Sequence, residues 1–188
     1  MKLIFLMIVC SALFCFTENQ QLYIQPLESV PKKDIETVKN AIHAFYGYNC
    51  VISPPIGRQP DLFAASKTRY SAEKILERFK YSSVLIITQK DIAHKKDSVR
   101  TEWGVLGLAK LNGSVCVVST YRMGNRSSVL YKQRLEKVAV HEIGHTLGLN
   151  HCPNKSCVMT AAEGSITNID HVSLALCIKC KHLLSKPF

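Results

Sequence analysis

The 188 residues contain no internal repeat and no low-complexity tract, which excludes a solenoid and leaves a disordered chain without compositional support. Also missing is the run of about 20 apolar residues that a membrane-spanning helix needs. Acidic side chains are scarce, 14 against 24 lysines and arginines, so the net charge is +10. Such an excess favours acidic partners or anionic surfaces. The basic residues are nevertheless scattered, as in Lys32-Lys33, Lys95-Lys96 and Lys179 to Lys186, with no aromatic interleaving and no nucleic-acid motif. A solvated basic surface is expected, and no nucleic-acid partner.

What is present suits a folded domain: 47% apolar and 20% charged residues, in a chain long enough to bury a core. Positions 1–16 stand apart. Lys2 precedes an apolar run from Leu3 to Phe16, broken only by Ser11 and followed by the polar stretch Thr17 to Gln20. That pattern reads as a signal peptide, with Cys10-Ser11-Ala12 offering small residues for cleavage. The expected location is therefore periplasmic or secreted. A lipid anchor on Cys15 and a cytoplasmic chain with a buried N-terminal strand are the alternatives. Since Lys2 supplies one of the +10 charges, the mature chain would carry +9.

Residues 17–188 are read as one domain, with an N-terminal subdomain (17–149) and a C-terminal subdomain (150–188), acting as a monomer. Short strands are expected at Leu22 to Gln25, Cys50 to Ser53, Ser83 to Thr88, Gly104 to Ala109 and Val115 to Thr120. Helices are expected from a cap at Asp34 to Tyr46, and from Ser71 to Phe79. A long helix covers Ser128 to Leu147, and a last one Ile169 to Leu184. Alternating strands and helices define an α/β (α+β) fold with an at least partly parallel sheet. A cleft between this layer and the loop- and helix-rich C-terminal part is the natural place for an extended ligand.

The long helix carries His141-Glu142-Ile143-Gly144-His145. Residues four apart on a helix stand one turn above each other, about 5–6 Å between Cβ atoms, so two imidazoles there can grip one ion. Gly148 can take the left-handed conformation that ends a helix, which brings His151 within reach as a third ligand. Three protein ligands and an open position mark catalytic zinc, and a carboxylate beside that position, Glu142, suits a general base. A stability-only zinc site would be closed by four protein ligands.

Four cysteines follow in two short-spaced pairs, Cys152 with Cys157 and Cys177 with Cys180. That spacing suits a four-thiolate structural zinc. In an oxidising compartment two disulfides are the rival. Cys50 and Cys116 are read as buried thiols in strands, with a mutual disulfide as the alternative.

The string HExxHxxGxxH with Met159 beyond it resembles the metzincin clan, and the full pattern HExxHxxGxxHCx4CxMx17CxxC over residues 141–180 resembles the archaemetzincins. That resemblance implies a metzincin-like fold with a twisted N-terminal sheet and an active-site helix, a methionine turn at Met159, and two zinc ions, one catalytic and one structural. It also implies a peptide or protein substrate. Thr160-Ala161 stand where astacin-like relatives carry a tyrosine that stabilises the transition state, so that role has no candidate here. The expected activity is a zinc metallopeptidase with Glu142 as base and Val115 to Thr120 as the substrate rim. Its rivals are a non-catalytic peptide-binding module and a zinc amidase acting on non-peptide bonds.

Overall fold

The computed structural model describes residues 21–184. The leader reading at 1–16 lies outside them. Eight strands and five helices follow in the order β1 (Gln21–Leu27), α1 (Lys32–Tyr46), β2 (Asn49–Ile52), β3 (Tyr70–Ser71), α2 (Ala72–Arg78), β4 (Val84–Thr88), β5 (Ile92–His94), β6 (Trp103–Val105), β7 (Gly107–Ala109), β8 (Val115–Ser119), α3 (Val129–Thr146), α4 (Ile166–His171) and α5 (Ile178–Leu184).

The main sheet has the order β2-β1-β4-β8-β7, parallel throughout except for β7, which runs antiparallel to β8. Parallel strands with both faces covered read as unbroken apolar runs. The strand β4, Val-Leu-Ile-Ile-Thr, is buried at every position. Leu85 and Ile87 face one way with Cys116 and Val118, onto Val38 and Ile42 of α1 and Leu135, Ala139 and Ile143 of α3. Val84 and Ile86 face the other way, with Val115 and Val117, onto Tyr70 and Ile75. A second sheet, β3-β5-β6, stands beside the first.

Several expected boundaries move. Asp34 does not cap α1; Pro31 stands at the cap position with no side-chain bond. Asp34 is instead buried, accepting a hydrogen bond from the Tyr131 hydroxyl at 2.6 Å and facing Arg126 at 3.5 Å, which ties α1 to the start of α3. The stretch Gly104 to Ala109 is two strands in two sheets, because β6 pairs with β5 and β7 with β8 on either side of Leu106. The segment Val115 to Thr120 is not a rim: β8 lies between β4 and β7. The expected closing helix is broken into α4 and α5. Between them Ser173 N–H bonds the Ser156 carbonyl and the Ala175 carbonyl accepts from Val158 N–H, so this stretch is stitched to the loop after His151.

Cys50 and Cys116 are both buried. They stand on β2 and β8 with β1 and β4 between, and three strand spacings of about 4.8 Å put them far beyond disulfide reach. Among the described residues no helix is long and apolar enough to cross a membrane.

Candidate metal and catalytic centre

The helix α3 is opened by Ser128, whose hydroxyl accepts from Tyr131 N–H at 3.0 Å. It ends at Gly148, which takes φ 86 as its turning role requires. Gly148 N–H bonds the His145 carbonyl and Leu149 N–H bonds the Gly144 carbonyl, both at 2.9 Å, which closes the helix end and swings the chain back. His151 thereby meets His141 and His145. The three imidazoles offer ligand nitrogens within 4.8 Å of one another, and their ring centres are 4.6 to 5.4 Å apart.

The tautomers follow from the surroundings. His141 Nδ1 donates to the Val158 carbonyl at 2.7 Å, and His145 Nδ1 donates to the Leu149 carbonyl at 2.6 Å. Each ring then presents an unprotonated Nε2, and those two atoms lie 3.0 Å apart. Two lone pairs facing each other at that distance repel unless a cation lies between them. Zinc bound at about 2.0–2.1 Å to each would set such an edge at about 3.3 Å. The donor set fits the ion. Burial above all, with His145 and His151 adding and the Val158 bond opposing, pushes the His141 pKa down to about 3. Burial also lowers His145 and His151, against the Leu149 bond and Glu163 respectively. Neutral imidazole is the form a metal takes.

Glu142 lines a cavity of about 540 Å³ shared by all three histidines. It is 6% exposed, and burial pushes its pKa up to about 8. Its carboxyl packs against Gly107 on β7, where an added Cβ would force the carboxyl or the strand to shift. Cys116 lies behind it, its thiol pushed well up by burial and then by that carboxyl. Met159 is fully buried beneath the site, its sulfur against Gly144. Thr160 does not take the missing tyrosine's place: it is buried and its hydroxyl bonds the Asn154 carbonyl at 2.5 Å.

Cys152, Cys157, Cys177 and Cys180 converge, with sulfurs within 4.8 Å of one another and Cys152 Sγ 3.6 Å from Cys177 Sγ. A tetrahedron of thiolates at about 2.3 Å from zinc has edges of about 3.8 Å. All four are free thiols. Cys177 N–H donates to Cys157 Sγ at 3.4 Å. The N–H of Cys180 is the main influence that lowers the Cys177 thiol, whereas burial raises Cys152 and Cys180. This cluster also serves the first: Val158, whose carbonyl orients His141, is next to Cys157, and Cys152 N–H bonds the Met159 carbonyl at 2.8 Å. Such second partners fix ring orientation and ligand basicity.

The structure brings His141, His145 and His151 into one group and Cys152, Cys157, Cys177 and Cys180 into another, and places Glu142 in the cavity that the histidines line. Gly107, the acceptor carbonyls of Val158 and Leu149, and Lys137 in the cavity wall carry no motif. Of these only Lys137 had a readable signal, four residues before His141 on the same helical face.

An α/β layer with a helix-borne histidine pair, a third histidine after a glycine turn and a methionine floor is the architecture of a zinc metallopeptidase. The comparisons agree. The model of Peptidase family M54 matches residues 61–186. The archaemetzincin of Archaeoglobus fulgidus is 34% identical over 161 residues, covering 85% of this chain and 96% of that one. The archaemetzincin of Haloarcula marismortui is 33% identical over 149 residues, covering 71% and 83%. The A. fulgidus crystal structure, complexed with malonate, superposes with a TM-score of 0.77 at 32% identity, over 87% of this chain and 99% of that one. The Methanopyrus kandleri archaemetzincin shares the fold with a TM-score of 0.76 at 24% identity, over 92% and 97%. The chain belongs to peptidase family M54, the archaemetzincins, and is a zinc metallopeptidase acting on peptide substrates.

Proposed function

We propose that His141, His145 and His151 hold the catalytic zinc, that Glu142 is the general base for peptide-bond hydrolysis, and that Cys152, Cys157, Cys177 and Cys180 hold a second, structural zinc. The observation that carries this reading is the pair of unprotonated Nε2 atoms at 3.0 Å, opening on the cleft in which Glu142 stands. Zinc there would supply a Lewis acid and lower the pKa of a bound water to about 7. Glu142, held between α3 and Gly107, takes the water's proton as attack begins and hands it to the departing amine. The Val158 and Leu149 carbonyls keep two of the rings neutral and aimed throughout.

The substrate lies along β7 rather than β8. Ser119 N–H bonds the Leu106 carbonyl at 2.8 Å and Lys110 N–H bonds the Val115 carbonyl at 3.4 Å. In an antiparallel ladder the residues between, Gly107 and Ala109, direct their N–H and C=O groups outward. That open edge beside Glu142 lets an extended peptide add as a strand. Export by residues 1–16 would place this monomeric enzyme outside the cytoplasm, which N-terminal sequencing of protein recovered from the culture medium or periplasm checks.

The decisive experiment is hydrolysis of a mixed peptide library by zinc-loaded protein, with a chelator control and Glu142→Ala beside it. The expected result is chelator-sensitive cleavage that falls at least about 100-fold in the variant while its zinc content holds. Undiminished cleavage by Glu142→Ala removes the base.

A further inference from the structure

The cleft has a direction. Along its floor α3 presents Lys137, Val138, His141, Glu142 and His145, a path of about 12 Å at 1.5 Å per residue. Along its upper side β7 runs the same way, since Gly107 lies against Glu142 and, just past the strand, Asn112 N–H bonds the His145 carbonyl at 3.1 Å. Val105 and Trp103 therefore lie towards Lys137. At that end the two walls meet. Gly164, in the segment leading into α4, packs against the Gly104 carbonyl and the Trp103 indole, where even a methyl group on Gly164 would come within 2.8 Å of the carbonyl oxygen.

Lys137 stands at this closed end, about one helical turn from His141. Its Nζ donates to the Ile169 carbonyl at 3.0 Å and to the Asp170 carbonyl at 3.3 Å, which holds the ammonium against α4 in a cavity that Val138, Ile169 and Val172 also line. An ammonium has three donors, and two are used. The nearby Asp170 carboxylate, which interacts electrostatically with Lys137, is already paired with Arg134 at 2.7 and 2.6 Å, so two cations share one carboxylate and a positive charge is left over. A second cation, Lys96, lines the same cavity with its Nζ 5.2 Å from the centre of the Trp103 ring. The carboxylates of the cavity, Glu142 and Glu163, belong with the histidines: Glu142 is beside His141, and Glu163 interacts with His151.

We infer that Lys137 is a specificity residue, and that the closed end of the cleft binds a carboxylate on the peptide, either an acidic side chain or a free C-terminus. The inference rests on the peptidase reading given above. A held ammonium with an unused donor, in a cavity that apolar side chains also line, matches the short stem and anionic head of glutamate or of a chain end. Charge-assisted bonds of this kind discriminate by about ten- to a hundred-fold.

The test compares zinc-loaded wild type with Lys137→Met and Lys137→Arg. The substrates are blocked, amidated alanine peptides carrying one Glu, Gln or Lys, and an all-alanine peptide with either a free or an amidated C-terminus. Cleavage is measured as kcat/KM. Binding is measured separately in a Glu142→Gln background through the fluorescence of Trp103, the chain's one tryptophan, which sits in this cavity. The expected result is a preference of about ten-fold or more for Glu over Gln or for the free over the amidated terminus, whichever source supplies the carboxylate. Lys137→Arg should keep that preference and Lys137→Met should bring the ratio to about one, with KM moving more than kcat. A lysine that merely caps α4 would lower stability and leave the ratio intact; that outcome, or a wild type indifferent to carboxylate in both assays, overturns the inference. Carboxylate-selective binding lost in Lys137→Met but accompanied by no cleavage of any peptide would sustain the inference and overturn the peptidase reading instead.

Discussion

The α-carbon of Gly107 lies directly against the carboxyl group of Glu142, so closely that a methyl group on it would overlap Oε1, Cδ and Cγ. The open edge strand and the Glu142 carboxyl are thus set by one contact. Any side chain at Gly107 must push the carboxyl off its place or push the strand off the helix.

Gly107→Ala is accordingly expected to lower kcat by about 100-fold, the usual cost of misplacing a reacting group by an ångström. Zinc content should stay at the wild-type level, because the three histidines are untouched. Steady-state kinetics beside metal analysis read both quantities, and an unchanged kcat would show that the strand yields without disturbing the base.

Gly144 has a similar role on the opposite face of α3. A Cβ there would overlap the Met159 sulfur and come within 3.0 Å of the Tyr46 hydroxyl, which itself donates to the Val140 carbonyl at 2.9 Å. Gly144→Ala should destabilise the protein by about 1–3 kcal/mol through overpacking, seen as a lower thermal midpoint. Equal stability would mean that the methionine turn can retreat.

For the cysteine cluster, native mass spectrometry should find two zinc ions on the wild type and one on Cys177→Ser/Cys180→Ser. Thiol titration of the denatured, metal-free wild type should return every described cysteine as reactive. Two ions retained by the double variant would place the second metal elsewhere.

Asp34 joins α1 to α3 through the Tyr131 hydroxyl while only 3% exposed. Removing it leaves a buried donor without its acceptor, which costs about 1–3 kcal/mol. Asp34→Ala should therefore unfold at lower denaturant concentration, and Asp34→Ala/Tyr131→Phe should recover part of the loss. Independent, additive effects of the two substitutions would argue against the coupling.

Legibility along the chain tracked how local each feature is. The helix α3 was readable to within a residue at each end, since Ser128, the apolar spacing and Gly148 all act within a turn or two of their own position. The strands β4 and β8 announced themselves as short apolar runs. Their order does not show in the sequence, so Val115 to Thr120 reads as an edge although β7 covers it. The change of partner at Leu106 has no signal in Gly104 to Ala109, because which sheet a three-residue strand joins is decided by the neighbour that receives it. Asp34 looked like a cap for the same reason: its true partner, Tyr131, lies 97 residues away.

The sequence alone determined the family and the candidate ligands, for the histidine, glutamate, glycine, methionine and cysteine spacings of residues 141–180 follow helix pitch and tight turns, both local constraints. The tertiary structure alone decided which sheet edge stands open beside the histidines and what lines the cleft. The exposed edge of β7, the contact of Gly107 with Glu142, the Gly104 to Gly164 closure and the surroundings of Lys137 all arise from segments far apart in the chain. Burial and pairing between such segments depend on the packing of the whole, which no short stretch of residues encodes.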